Sequence, residues 1–240
     1  MYALKIGSSD LQTKVTLTNK TPMLGNLGRA LSASIGKKAW MAISGLLLVG
    51  FLIAHLAGNL LLFIDQDGSA FNSYAETLSS NPLLPVAELI LATLFIAHIA
   101  LGLRVSSQNR EARKQRYRVT ASHGGRTAGS ATMLVSGILI LVFLVIHILD
   151  FRLDETAHDD MALAVRKRLG SGSGAWTYGI GVAALGLHLS HAFSSAFQTL
   201  GINHPKYDLA IKVAGRAIGV ILGLGFLAFP VIIYFSSGAS

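Results

Sequence analysis

Residues 39–64 read AWMAISGLLLVGFLIAHLAGNLLLFI, a run without a lysine, an arginine or an acid. A helix needs about 20 consecutive apolar residues to cross the hydrocarbon core of a bilayer, and this run is long enough. Four further segments of similar length and hydropathy follow, at residues 83–105, 127–149, 175–197 and 209–235. The sequence therefore predicts an all-α integral membrane protein, folded as a bundle of five transmembrane helices.

The composition of the 240 residues supports this class of protein. The chain is 52% hydrophobic and only 13% charged, whereas soluble domains are about 25% charged. This composition excludes an ordinary soluble enzyme and a disordered protein. Cysteine is absent, which excludes disulfides, thiolate metal sites, iron–sulfur ligation and covalent c-type haem attachment by this chain.

The basic residues predict the orientation of the spans, since Lys and Arg accumulate on the cytoplasmic side. They concentrate before the first span, in the loop 104–126 and near the start of the fifth span, whereas most acids lie on the opposite side. We expect residues 1–36 to be a retained, polar cytoplasmic leader and residues 37–240 to form the membrane domain, with the C-terminus outside. Because topology accounts for the net charge of +8, we expect no nucleic-acid partner.

Histidine recurs within the spans. His55, His98 and His147 lie in the first three, and His188 and His191 both lie in the fourth. Ionisable residues at membrane depth cost free energy and usually serve a function. Neutral imidazole is a common metal ligand, so the sequence indicates haem iron, copper or zinc, or else a proton relay.

The rise of a helix predicts two histidine pairs at two depths. His55 and His147 lie about 25 and 31 Å beyond the basic residues that begin their spans. His98 and His191 lie about 9 and 10 Å from the polar residues that end theirs, and those spans run in the opposite direction. Each pair suits one planar macrocycle between two imidazoles, whereas zinc favours four ligands at one depth. His188 shares a helix face with His191, and depth alone does not separate them.

An internal repeat links the first and third spans. Residues 44–55, SGLLLVGFLIAH, and residues 136–147, SGILILVFLVIH, agree in their Ser-Gly, Phe-Leu and His positions. Gly181 likewise precedes His191 by ten residues. Glycine lets a neighbouring helix or a flat cofactor approach the backbone closely. Ordinary packing of helices through small residues remains an alternative explanation, because the chain contains 25 glycines.

Three stretches resemble the single-polypeptide, five-helix, di-haem cytochrome b anchor of succinate:quinone oxidoreductases, which are the succinate dehydrogenases and fumarate reductases of respiratory complex II. The first is SIGKKAWMAISG at residues 34–45, which leads to HLAGNL at residues 55–60. The second is FIAH at residues 95–98, followed by Arg104, and the third is HAFSSAFQTLGINH at residues 191–204. The resemblance extends over most of the chain.

This resemblance implies two b haems between the first four helices, one ligated by His55 and His147 and the other by His98 and His191. It favours His191 over His188, because the family ligand begins the His-Ala-Phe stretch. The candidate contacts of the haem propionates are Lys37, Lys38 and Arg126.

The resemblance also implies partners and a reaction. A flavoprotein subunit oxidises succinate, an iron–sulfur subunit relays the electrons, and the anchor passes them by haem to a quinone, expected to be menaquinone, in the bacterial cytoplasmic membrane. This chain alone has no dinucleotide-binding fingerprint, so it does not oxidise succinate itself. The basic loop 104–126 is either a docking surface for these subunits or only a determinant of topology. Glu88, and secondarily Glu76, are the candidate proton-transfer groups at an outer quinone site.

Two other functions fit part of the pattern. A stand-alone transmembrane haem b cytochrome would share the ligands but use another electron donor or acceptor. A transporter with a histidine proton relay would be expected to show interrupted helices at corresponding positions of two halves. Only Pro230 interrupts a predicted span.

Overall fold

The computed structural model describes residues 34–112, 128–202 and 204–238, and within these ranges it contains seven α-helices, two 3-10 helices and no strand. The helices are α1 (Ser34–Asn59), α2 (Ser69–Ser79), α3 (Leu84–Ala112), α4 (Ala128–Phe151), α5 (Met161–Gly170), α6 (Gly172–Thr199) and α7 (Pro205–Ser237), with 3-10 helices at Leu60–Phe63 and Glu155–His158. The chain divides into two units, Met1–Lys37 and Lys38–Ser240. Of the first unit, only the beginning of α1 lies within the described residues.

Five of these helices, α1, α3, α4, α6 and α7, are long and apolar enough to cross a membrane. The prediction of an all-α bundle with five transmembrane helices is therefore confirmed. The helices extend beyond several of the predicted ends; α3, for example, continues to Ala112. Hydropathy marks only the apolar part of a helix, whereas the hydrogen-bonded backbone continues into the polar residues that follow.

Large apolar side chains cover the outside of the bundle. Leu89 and Ile96 on α3 expose 69% and 68% of their surface, and Leu224 on α7 exposes 63%. Such a surface would be unfavourable in water but is suited to contact with lipid chains. The polar groups of the backbone are satisfied within each helix, as a membrane span requires.

Small residues allow α6 and α7 to pack closely. A Cβ atom on Gly186 would lie 3.5 Å from the Cα atom of Gly223, and one on Gly219 would lie 3.0 Å from the amide nitrogen of Ser190. Close approach of this kind is how membrane helices gain packing energy without a hydrophobic driving force. Helix packing therefore accounts for these glycines. The backbones of α1 and α3 stay farther from the neighbouring spans.

Helix α7 corrects one sequence expectation. Pro230 was expected to interrupt the fifth span, but α7 continues through it from Pro205 to Ser237. Proline removes one backbone donor and strains the preceding turn, yet membrane helices tolerate it where packing supports the chain. Pro230 is buried, as is its neighbour Phe229, so packing surrounds this turn.

The two short helices α2 and α5, together with Leu60–Phe63, form a cap at the end of the bundle that carries His55 and His147. The Asn72 side chain of α2 donates to Asp160 at 2.9 Å and accepts from the amide of Ala162 at 2.9 Å. The amide of Leu163 also donates to Asp160, and these bonds hold the pKa of that carboxyl below its usual value. Arg166 on α5 donates to the carbonyl oxygen of Leu62 at 3.1 Å. The cap thus joins the ends of α1 and α4.

Candidate functional site

The structure brings together His55 of α1 and His147 of α4. Their ring centres are 5.9 Å apart and their planes are nearly perpendicular, at 86°. Two imidazoles bound to one metal ion through bonds of about 2 Å have ring centres about 5–6 Å apart, depending on the angle between the bonds. The two histidines therefore lie at one depth, as the helical rise predicts, and their separation fits that of two ligands of one metal.

The environment of this pair is aromatic and apolar. The rings around the two histidines are Phe51, Phe143, Phe151, Tyr178 and Phe226. Within the described part of the chain, the Nδ1 atom of His147 is buried and has no hydrogen-bond partner. A buried polar atom without a partner costs about 1–3 kcal/mol, so this imidazole is suited to a bound group that completes its bonding.

His98 of α3 lies against the other end of α1. The hydroxyl oxygen of Ser44 is 3.2 Å from its Nδ1 atom. A Cβ atom on Gly45 would lie 3.1 Å from the Cε1 atom of the same ring, which is tighter than ordinary van der Waals contact. Glycine at this position therefore lets the imidazole lie directly on the α1 backbone.

His188 of α6 repeats this arrangement on α4. Its Nδ1 atom is 3.2 Å from the hydroxyl oxygen of Ser136, and a Cβ atom on Gly137 would lie 3.7 Å from its Cε1 atom. The second level of the site therefore contains His98 and His188, each on the Ser-Gly pair of a neighbouring helix.

Each copy of the internal repeat thus contributes residues to both histidine levels. Each copy presents one histidine, His55 or His147, at the end of the bundle near the cap. Eleven residues earlier, about 16 Å along the helix, its Ser-Gly pair supports a histidine from another helix. The sequence interpretation related the Ser-Gly pairs only to the histidines of their own helices.

His191 lies about one helical turn beyond His188 on α6. The resemblance favours His191 as the fourth ligand, whereas the contacts with Ser136 and Gly137 favour His188. The predicted equivalence of Gly181 with Gly45 has another explanation in the structure. The ring of Phe143 lies in the space that a side chain at Gly181 would need.

The two candidate proton-transfer acids have different environments. Glu88 on α3 accepts two hydrogen bonds from Arg152, at 2.6 and 3.0 Å, and 38% of its side chain is exposed. It is therefore a carboxylate paired with a residue at the end of another span, and it raises the pKa of the Arg152 guanidinium. Glu76 is exposed on the short helix α2.

The candidate propionate contacts are only partly described. Lys37 and Lys38 lie in the first turns of α1, with Lys38 exposed. Arg126 and most of the basic loop 104–126 lie outside the described residues, as does the leader before Ser34. The roles predicted for these segments therefore stay predictions.

Sequence reasoning missed one polar network beside His147. Asp150 accepts a hydrogen bond from the hydroxyl of Tyr178 at 2.9 Å and one from Nε of Arg168 at 2.7 Å. The ring centre of Tyr178 is 5.9 Å from that of His147. Asp150 follows His147 by three residues, which places both on one helix face, and this spacing was the available signal. The network connects the cap to the first histidine level.

The number of side chains that could bind one metal ion distinguishes the kinds of metal centre. Among the described residues, no group of three or more His, Asp or Glu side chains is arranged to hold one metal ion. Zinc usually takes three or four protein ligands, whereas a haem iron with two histidines needs only two from the protein.

Comparison of the chain with known protein families, curated proteins and solved structures gives no match. The functional assignment therefore depends on the residues and geometry of this chain.

Proposed function

We propose that this chain is the membrane-anchor cytochrome b of a succinate:quinone oxidoreductase, with two b haems held by paired histidines. The observation that carries the proposal is the division of the membrane histidines into two levels. The ring centres of His55 and His147 are 5.9 Å apart on one level, and His98 and His188 each lie against the Ser-Gly pair of a neighbouring helix on the other. Each level offers two imidazoles from two different helices, which is what a six-coordinate haem needs.

The chain's own residues would hold and tune such haems. At the first level, the aromatic rings around His55 and His147 exclude water from the ligands. At the second, Gly45 gives His98 room against α1, and the hydroxyl oxygens of Ser44 and Ser136 lie within hydrogen-bond distance of the imidazoles. A bound haem supplies one-electron redox chemistry, and two histidine ligands leave the iron without an open position.

In the proposed complex, the chain connects a flavoprotein and an iron–sulfur subunit on the cytoplasmic side with a membrane quinone. The five apolar spans support a multi-pass location, in agreement with a lipid-soluble electron acceptor. The absence of cysteine means that the iron–sulfur clusters belong to a partner. The proposal includes menaquinone as the quinone and the bacterial cytoplasmic membrane as the location, with the N-terminus inside.

The first prediction concerns haem content and partners. The chain purified from its native membrane in mild detergent should contain about two haems, because it has two histidine pairs. Pyridine haemochrome quantitation measures the content, and a reduced-minus-oxidised spectrum should show low-spin b haem that does not bind carbon monoxide rapidly. A covalent flavin or succinate–dye reductase activity in the same fraction would identify the partner subunits.

The outcomes separate this proposal from its alternatives. Two haems without succinate–dye reductase activity would indicate a stand-alone cytochrome. One haem, or rapid binding of carbon monoxide, would show that one histidine pair is not a ligand pair. No haem at all would contradict the proposal and favour a histidine relay.

The second prediction concerns Glu88 as a proton-transfer group for the quinone. Glu88→Gln keeps the size of the side chain but removes its titrating proton, so quinone-linked turnover should fall at least tenfold. Succinate oxidation with a soluble dye and the haem content should be unchanged.

The ion pair with Arg152 requires a matched control, because Glu88→Gln also breaks that pair. Arg152→Gln breaks the same contact but leaves the carboxyl group of Glu88 in place. If both variants lose quinone turnover equally, Glu88 has a structural role. If neither does, Glu76→Gln becomes the next test, and unchanged turnover there would exclude both acids.

A further inference from the structure

We propose that Ser44 and Ser136 are positioning residues that fix the tautomer of His98 and His188, so that Nε2 of each ring is the nitrogen available to iron. This inference rests on the proposed function and assigns a role to residues outside the ligand set. It follows from the direction of the hydrogen bonds at the second level. Both serines are almost completely buried, at 4% and 2% exposure.

The serine hydroxyls already have acceptors for their own protons. Ser44 donates to the carbonyl oxygen of Met41 at 3.1 Å. Ser136 donates to the carbonyl oxygens of Thr132 at 2.9 Å and of Met133 at 3.2 Å. A hydroxyl has one proton and two lone pairs, so its oxygen is then left to accept. The Nδ1 atoms of His98 and His188 lie 3.2 Å from these oxygens, so the bonds to the carbonyls favour Nδ1–H as the donor to serine.

This direction determines which nitrogen keeps a free lone pair. A neutral imidazole carries its proton on one nitrogen only, and a hydrogen bond at one nitrogen decides the role of the other. With Nδ1–H donating to serine, Nε2 is unprotonated in both rings.

The arrangement occurs twice with the same elements. Met41, Ser44 and Gly45 on α1 correspond in spacing to Met133, Ser136 and Gly137 on α4. In both copies the serine oxygen is 3.2 Å from Nδ1 and the following glycine lies under Cε1. A serine hydroxyl in a helix can donate to a backbone carbonyl of the same helix without a histidine nearby. Ser190 on α6, for example, donates to the carbonyl of Leu187.

The bond to serine should affect both affinity and redox potential. Hydrogen-bond partners of metal-bound histidines fix the ring and raise its basicity, and their loss typically weakens metal binding about 10–100-fold. A more basic ligand stabilises the oxidised metal. Loss of the acceptor should therefore raise the midpoint potential of the haem at this level and leave that of the haem between His55 and His147 unchanged.

The experiment compares Ser44→Ala and Ser136→Ala in the full chain, purified with its partner subunits. Each variant should retain the affected haem about 10–100-fold less tightly during titration with an apo-haem acceptor. Redox titration should show a higher potential for one haem only. Ser44→Thr and Ser136→Thr keep the hydroxyl and should restore the original potential. Ser190→Ala removes a hydroxyl from the helix of His188 and should change neither quantity.

The possible results are distinguishable. If the unmodified chain contains no haem, the proposed function fails. If it contains two haems and the alanine variants keep both affinity and potential, this inference is wrong. An effect of Ser44→Ala without one of Ser136→Ala would contradict the role of Ser136 and indicate that His188 is not a ligand. Equal shifts in the alanine and threonine variants would indicate a packing effect and would overturn the hydrogen-bond explanation.

Discussion

We expect His55→Ala and His147→Ala each to reduce the haem content from about two to about one per chain. The two rings lie 5.9 Å apart, and alanine removes an imidazole that no neighbour can replace. The side chains around them are phenylalanines and Tyr178, which do not offer a nitrogen ligand. His98→Ala should remove the other haem and leave this one in place.

Haem quantitation and low-temperature spectra of the reduced protein measure the effect, because two haems in different environments give separable bands. Phe51→Leu is a suitable control. Phe51 stacks on His55 with ring centres 5.3 Å apart, so its replacement disturbs the packing without removing a ligand. This control should keep both haems. Identical spectra for the His55→Ala and His98→Ala variants would contradict the assignment to two levels.

Hydropathy was sufficient to predict the five spans, because the cost of polar groups in a bilayer is reflected directly in composition. The common depth of His55 and His147 was also predictable, since it depends only on the rise per residue. The cap was not. Helices α2 and α5 are short and partly polar, and their fold depends on contacts between distant residues such as Asn72 and Asp160.

The sequence also did not predict which residues of different helices contact each other. The sequence placed Glu88 within the second span. Its ion pair with Arg152, however, depends on which helices are neighbours and how they are rotated. The Ser-Gly pairs illustrate the same limit. Their recurrence was visible in the sequence, yet only the structure shows that they contact His98 and His188 rather than the histidines of their own helices.

The choice between His188 and His191 depends on the rotation of α6. Residues three apart differ in depth by about 4.5 Å and in direction by about 60°. Those differences are too small to resolve from estimated span ends, but they are large enough to decide which ring reaches a partner. In the structure, it is His188 that lies on Ser136 and Gly137.

We therefore expect His188→Ala to remove the haem shared with His98, which lowers the haem content by about half, and His191→Ala to keep both haems. The two variants are matched controls for each other, since they remove the same side chain from one helix. Haem quantitation and the redox potential of the remaining haem measure the result. The reverse outcome would support the ligand that the resemblance favours, and it would require α6 to turn by about 60° in the haem-loaded protein. Such a turn would move His188 away from Ser136, so Ser136→Ala would then have no effect on haem.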